Sequence, residues 1–351
     1  MPRRSRTVLN MFVPALRHTS PDFTPLFFPA RLLWPVRQLS SIRLLIASLV
    51  LFGFAMMQAT PAVAAKYAAI VIEEHSGKVL FARNAKQARY PASLTKIMTL
   101  YLLFEELEAR RVGMDTRMRV SKTAAGRSPS KLYLQQGQSV AVRDAIYALI
   151  TKSANDVATV VAEHLSGTER DFAKRMTRKA RALGMTRTTF RNASGLPHSK
   201  QKTTARDMAR LGIAIRRDFP QYFGFFSTKS FRWKGKRFGN HNKLLSSYQG
   251  TDGIKTGYIN ASGFNLLATV ERRGVRLVGA VFGGRTGRTR DAHMVQILDK
   301  SFKRAKPADI QTQLTSAGPR IRVIPKSLPT PIAEPKSLPV APPPRTTSST
   351  S

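Results

Sequence analysis

The sequence predicts an α+β fold: a mainly antiparallel sheet packed by helices. Three observations predict it. Strand-length apolar runs joined by short turns occur near residues 66–83 and again over 250–284. Helix-patterned segments fill the interval between them, and one more helical segment follows the last strand. Strand, helices, strands, helix, with adjacent strands joined by short turns, is the order of an antiparallel sheet covered by helices.

The elements follow in order. "KYAAIVIEEHSGKVLFARN" reads as two strands around a turn at His75–Lys78. Pro91 precedes Ser93, and "LTKIMTLYLLFEELEARR" is a strong helix with Gly113 as its stop. "VRDAIYALIT" is a shorter helix with Asp144 in its first turn; "KSAN" interrupts it, and "DVATVVAEHLSG" is helical again. "ERDFAKRMTRKARALG" and "TTARDMARLGIAIRRDF" are amphipathic helices. Past residue 225 the pattern turns to β, and "GTDGIKTGYINASGFNLLATVERRGVRLVGAVFGG" alternates strands with Gly-bearing turns. "RDAHMVQILDKSFKRA" closes the domain as a helix.

Composition bounds the chemistry. The 351 residues, 42% apolar, can fill the core of one large domain or two small ones. The absence of cysteine excludes disulfides, thiolate chemistry, Cys-ligated zinc and iron–sulfur clusters. The six histidines are scattered without helical metal-ligand spacing, so no metal and no cofactor is expected. The balance of 58 Lys+Arg against 20 Asp+Glu, formally +38, favours polyanions such as nucleic acid, anionic lipid or an acidic polymer. The basic residues are dispersed and no nucleic-acid-binding motif accompanies them, so the excess reads as a solvated surface and nucleic acid is not expected as a partner.

The ends differ from the middle. Residues 44–57, "LLIASLVLFGFAMM", are an uncharged run of 14, short of the roughly 20 residues of a membrane-spanning helix. With Arg37 and Arg43 ahead and "ATPAVAA" behind, the run suits a secretory signal cleaved after Ala64 or Ala65. The 43 residues before it exceed a usual n-region, and a later start codon or a real extension both account for them. From Lys306 the chain is Pro- and Ser/Thr-rich, with "PKSLP" twice, and is expected to be a disordered tail. The expected organisation is therefore extension and signal over 1–65, a globular domain over 66–305 and a tail over 306–351.

Three short motifs carry the chemistry. Ser-x-x-Lys occurs at Ser93–Lys96, Ser128–Lys131 and Ser199–Lys202. Only the first opens a helix, where residues three apart share a face and free backbone N–H groups favour developing negative charge. Taken alone it is more often a helix cap. Ser153-Ala154-Asn155 lies at the break between two helices, where Ser and Asn also serve as caps. Lys255-Thr256-Gly257 lies on a strand, with Arg285-Thr286-Gly287 as a decoy after another strand. The Gly in such a strand lets a second backbone approach closely.

Together the three form the set found in β-lactamases and penicillin-binding proteins. The surrounding text, including "PASLTKIMT", "RNASGLP", "TTARDMARL", "NHNKLL" and "GTDGIKTGYINASGFNL", resembles the D-alanyl-D-alanine carboxypeptidase family of low-molecular-weight penicillin-binding proteins over roughly 66–305. The resemblance implies a five-stranded sheet with helices on both sides and an all-helical subdomain. It implies hydrolysis or transfer of the terminal D-Ala of peptidoglycan stem peptides through an acyl-enzyme, with β-lactams as covalent inhibitors. Ser93 would be the nucleophile and Lys96 its base. Lys255 and burial would lower the lysine's pKa. Ser153 would bridge Lys96 and Lys255 and relay a proton, and Asn155 would bind Lys96 and the substrate amide. The N–H groups of Ser93 and Tyr258, beside Gly257, would form the oxyanion hole. Thr256 and Lys255 would bind the terminal carboxylate with Arg290, near which Arg285 and Arg288 also lie.

Class A β-lactamases deacylate with a glutamate. Here Glu169 is the last Glu before Lys255 and sits in no Glu-x-x-Asn-type loop, which favours a peptidase. Many family members carry a second, β-rich domain and a C-terminal amphipathic anchor, whereas here the Pro-rich tail follows at once. The expected location is the periplasm or envelope, with charge on an anionic envelope polymer or an uncleaved residue 44–57 segment as means of retention. Endopeptidase cleavage of cross-links and a non-catalytic wall-binding role are the alternatives.

Overall fold

The structure, a computed structural model, describes residues 66–305. The extension and signal expected over 1–65 and the tail expected over 306–351 lie outside the described residues. Among the described residues no helix is long and apolar enough to cross a membrane.

β1 (Ala68–Glu73) and β2 (Val79–Arg83) form the first hairpin, turned at Gly77 with φ +69°. One turn of 3-10 helix, Ala92–Leu94, leads into α1 (Thr95–Glu108). β3 (Arg117–Arg119) and β4 (Ser139–Ala141) pair as a small ribbon. Then come α2 (Val142–Ile150), α3 (Asn155–Ser166), α4 (Glu169–Ala182) and α5 (Ala205–Asp218). A second ribbon, β5 (Ser230–Trp233) with β6 (Lys236–Gly239), precedes the long strands β7 (Thr251–Ile259), β8 (Gly263–Arg272) and β9 (Val275–Gly284). α6 (Gly287–Phe302) closes the domain.

The main sheet has five strands in the order β2-β1-β9-β8-β7, every neighbouring pair antiparallel. The α+β expectation and the strand number implied by the resemblance both hold. β1 pairs with β9 from Ala68 opposite Phe282 to Glu73 opposite Leu277, so the ends of the domain meet mid-sheet. Side chains alternate across a strand. Ala68, Ile70 and Ile72 enter one core with α1 and α5; Ala69 and Val71 enter the other with Met294, Ile297 and Leu298 of α6. Covering both faces explains why these strands read as continuous apolar runs rather than as alternation.

α1 is buried nearly all round, which marks a central helix. It packs against α2, α3 and α4 on the helical side and α5 on the sheet side. Lys96 of α1 and Asn155 of α3 meet where these helices pack.

Two boundaries differ from the sequence reading, and the β3–β4 ribbon is absent from it. α1 ends at Glu108, not at Gly113, because Arg110 adopts φ +55° and the N–H groups of Arg110 and Arg111 turn back onto Leu107 and Glu106. The Glu106 carboxylate then holds the Arg111 and Arg175 guanidiniums. α6 starts at Gly287, ahead of Arg290, because Thr286 and Thr289 form a reciprocal cap. β3 and β4 are three residues each, too short for a period-2 pattern to be legible.

Candidate active site

Pro91 and Ala92 bend the chain so that Ser93 lies on the 3-10 turn, just ahead of α1 rather than on its first turn. Ala92 holds φ +49°, a strained value for a residue with a side chain. Ser93 Oγ is 3.3 Å from Lys96 Nζ. Lys96 is fully buried. Its Nζ also donates to Asn155 Oδ1 at 2.7 Å and to the Ser194 carbonyl at 2.6 Å. Both of those oxygens are pure acceptors. A neutral amine has two N–H bonds; with these two acceptors taking both, deprotonation would leave its lone pair for the Ser93 hydroxyl. Burial pushes the Lys96 ammonium well below the ordinary lysine range, the Lys255 cation adds to this, and Asp156 and Glu169 oppose it.

Asn155 opens α3 and is fixed from three sides. Its Oδ1 accepts from Lys96, its Nδ2 donates to the Ser128 carbonyl at 2.9 Å, and its backbone N–H donates to the Ser130 carbonyl at 2.7 Å. Ser153 sits between α2 and α3 with φ +61°. Its buried hydroxyl makes no hydrogen bond, neither to Lys96 nor to Lys255, and it faces the same cleft. An unpartnered buried hydroxyl carries a desolvation cost that a ligand can relieve.

β7 is the edge strand of the sheet, so part of its backbone points away from β8. It runs past the Ser93 turn: a Cβ on Gly257 would lie 3.0 Å from the Ser93 nitrogen and 3.1 Å from the Pro91 carbonyl oxygen. This is the close approach that the Gly was expected to permit. Lys255 is buried, with its ammonium 3.4 Å from the Thr256 carbonyl. Burial, then the Arg290 cation, lowers its pKa to about 7. Ser93, Ser153, Asn155, Thr256, Gly257, Tyr258 and Arg290 all line one cleft of about 1250 Å³, and Lys96 and Lys255 lie behind that lining. Of the three neighbouring arginines, Arg290 is buried while Arg285 and Arg288 are exposed. Arg290 is held by Asp291 Oδ1 at 2.6 and 2.9 Å and by the Asn265 carbonyl at 3.2 Å.

With the geometry in place, comparison with known proteins is decisive. The D-alanyl-D-alanine carboxypeptidase family, peptidase S11, matches residues 55–286. This chain belongs to that family. It is 36% identical over 241 residues to the D-alanyl-D-alanine carboxypeptidase DacC of Escherichia coli K12, covering 67% of this chain and 60% of the relative. It is 33% identical over 238 residues to DacF of Bacillus subtilis, covering 67% and 61%. The chain thus spans about 60% of the length of the curated relatives it matches. Among solved structures, penicillin-binding protein 5 of Haemophilus influenzae superposes with a TM-score of 0.66 at 32% identity, over 70% of this chain and 72% of that one. Penicillin-binding protein D2 of Listeria monocytogenes, in its cefotaxime-bound form, gives 0.62 at 31%, over 67% and 96%.

In this D-alanyl-D-alanine carboxypeptidase family member, several residues outside the three motifs hold the site together. The Gly195 loop packs so closely on the Ser93 turn that a Cβ there would lie 1.8 Å from the Ala92 carbonyl oxygen. Asn265 on β8 donates to the Tyr90 carbonyl at 3.1 Å, tying the same turn to the sheet from the other side. Glu169 accepts from the Ala193 N–H at 2.9 Å and from Arg127, so its carboxylate serves the loop that presents Ser194 to Lys96. Among the residues lining the cleft Asp291 is the sole carboxylate, and it is bonded to Arg290. His241 also lines the cleft; desolvation first, and the Lys255 cation next, lower its pKa to about 4. "RNASGLP", "GFNL" and "NHNKLL" contained Gly195, Asn265 and His241, but nothing in their local spacing distinguishes them from loop and core positions.

Proposed function

We propose that the protein is a penicillin-sensitive serine-type D-Ala-D-Ala carboxypeptidase that trims peptidoglycan stem peptides, with residues 66–305 as its catalytic domain. The observation that carries this reading is the fully buried Lys96 amine, 3.3 Å from Ser93 Oγ and held by Asn155 and Ser194, with burial and the Lys255 cation pushing its pKa well below the ordinary lysine range. Ser93 Oγ attacks the carbonyl carbon of the penultimate D-Ala while its proton passes to Lys96 Nζ. The oxyanion is held by the N–H groups of Ser93 and Tyr258, each such donor being worth about 3 kcal/mol in the transition state. The C–N bond then breaks, and the leaving amine takes a proton from Lys96 through the Ser153 hydroxyl. Water cleaves the acyl-ester, returning the proton to Ser93.

Asn155 orients the base and the substrate amide, and Lys255, Thr256 and Arg290 face the terminal carboxylate. The buried cations beside the cleft suit that carboxylate, and Ser153 is ready for a partner. The scaffold role of Glu169 supports slow release of a β-lactam acyl group, since no cleft carboxylate is free to activate water as in a class A β-lactamase. Export to the periplasm or envelope is part of the same proposal.

The test is labelling with a fluorescent penicillin, abolished by Ser93→Ala, followed by mass spectrometry of muropeptides after incubation. Loss of one D-Ala per stem peptide is expected. Conversion of cross-linked dimers to monomers would make the enzyme an endopeptidase, and no labelling with no product would leave only a wall-binding role.

A further inference from the structure

Beside the cleft mouth, Tyr133 is 65% exposed, the most exposed large apolar side chain among the described residues. Its backbone is left-handed, φ +62°, a conformation that a bulky residue rarely holds. Two amides keep it there. The N–H groups of Leu132 and Leu134, on either side, donate to the two carboxylate oxygens of buried Asp156 at 3.1 and 3.2 Å. A ring pinned outward at a strained position is a feature that clusters at ligand sites.

Across from it lies the β5–β6 ribbon, turned at Lys234 and Gly235 with φ of 44° and 77°. Tyr133, Trp233 and Phe238 wall a shallow groove of about 160 Å³, with Lys234 and Lys236 on its rim. Lys131 stands 5.3 Å from the Tyr133 ring, and Lys152 and Lys236 stand 5.3 and 5.9 Å from the Phe238 ring. Among the described residues none of these four lysines is paired with a carboxylate. The groove and the cleft share one segment. Pro129 and Ser130 line the cleft, Ser130 Oγ donates to the Lys152 carbonyl at 2.8 Å, and Tyr133 follows three residues later.

We propose that this groove is a second binding site, for the glycan strand that bears the stem peptide. The exposed Tyr133 ring and the half-buried Trp233 match the C–H faces of sugar rings, and the lysines without carboxylate partners match the polymer's carboxylates, which sit on its stem peptides and, once these are removed, on the freed lactyl groups of the strand. A solvated basic face would need no aromatic walls, and an apolar protein partner would leave four cations unmatched. Holding the strand beside the cleft raises the local concentration of its own stem peptides there. The identity of the polymer rests on the carboxypeptidase reading.

The experiment uses the full chain carrying either Tyr133→Ala with Trp233→Ala or Lys234→Glu with Lys236→Glu, the latter confined to exposed positions in case the former disturbs folding. Affinity is measured for glycan strands freed of stem peptides and for polyglutamate, and turnover for a soluble D-Ala-D-Ala tripeptide. Both variants are expected to bind the strands about tenfold more weakly, with tripeptide turnover unchanged, and the aromatic variant to keep its polyglutamate affinity. Unchanged strand affinity would overturn the proposal. So would loss of polyglutamate and strand binding together in the aromatic variant, because the face would then be a charge sink without sugar recognition. If the unaltered chain fails to cleave the tripeptide, the carboxypeptidase reading falls, while strand binding still decides the groove.

Discussion

Replacing Gly195 by alanine tests whether the 192–196 loop holds the Ser93 turn in place. The new Cβ would lie 1.8 Å from the Ala92 carbonyl oxygen, 2.3 Å from its carbon and 2.9 Å from the Ser93 nitrogen. These neighbours are backbone, so the loop and the turn must part by more than about 1 Å, a misplacement that costs a catalytic site on the order of 100-fold. The move pulls the Ser194 carbonyl from Lys96, now at 2.6 Å, and the Ala193 carbonyl from Thr99 Oγ1, now at 2.7 Å. At φ +88° an alanine also bears about 1–2 kcal/mol of left-handed strain, and overpacking adds about 1–3 kcal/mol. At about 2–4 °C per kcal/mol for a domain of this size, Tm should fall by between about 4 and 20 °C. Thermal unfolding by circular dichroism and the rate of acylation by a fluorescent penicillin read the two effects. Gly77→Ala is the control, since Gly77 has φ +69° and open space around it, so it bears only the strain. Acylation as fast as in the unaltered chain, with an unchanged Tm, would refute the idea that this loop positions Ser93.

Three further outcomes are expected. Ser153→Ala removes a buried hydroxyl that has no partner, so Tm should hold or rise while tripeptide turnover falls roughly 100-fold; a large drop in Tm would show that the hydroxyl is structural. Lys255→Gln removes a cation that depresses Lys96, so the Lys96 pKa rises, its neutral form appears at higher pH, and the acid limb of penicillin acylation moves up by about 1 pH unit; an unmoved or lowered limb contradicts the coupling. Glu106 is held by Arg111 and Arg175, its pKa lowered from 4.5 to about 2. The stability it contributes is therefore complete above about pH 4.5 and lost as pH falls through about 2, and Glu106→Gln should cost about 1–2 kcal/mol at neutral pH, discounted for exposed Arg111, and progressively less as the pH approaches 2; urea unfolding at falling pH would expose a pH-independent loss as a mistake.

The sequence alone determined the local elements and the reactive residue types. Helix-patterned apolar segments placed α1 to α6, and apolar runs between Gly-bearing turns placed β1, β2 and β7 to β9, because those patterns are properties of neighbouring residues. It also supplied Ser93, Lys96, Ser153, Asn155 and Lys255 as a motif set, and that set indicated the family. Only the tertiary structure decided how they meet. Lys96 finds its acceptors 59 and 98 residues away, and Asn265 reaches Pro91 across 174. The left-handed backbone of Ser153 and the contact of Gly195 with the Ser93 turn likewise arise from what packs against them. A lysine is a cation by composition and becomes a base only when folding takes its water away and sets a second cation beside it; that is a matter of surroundings, which no local spacing encodes.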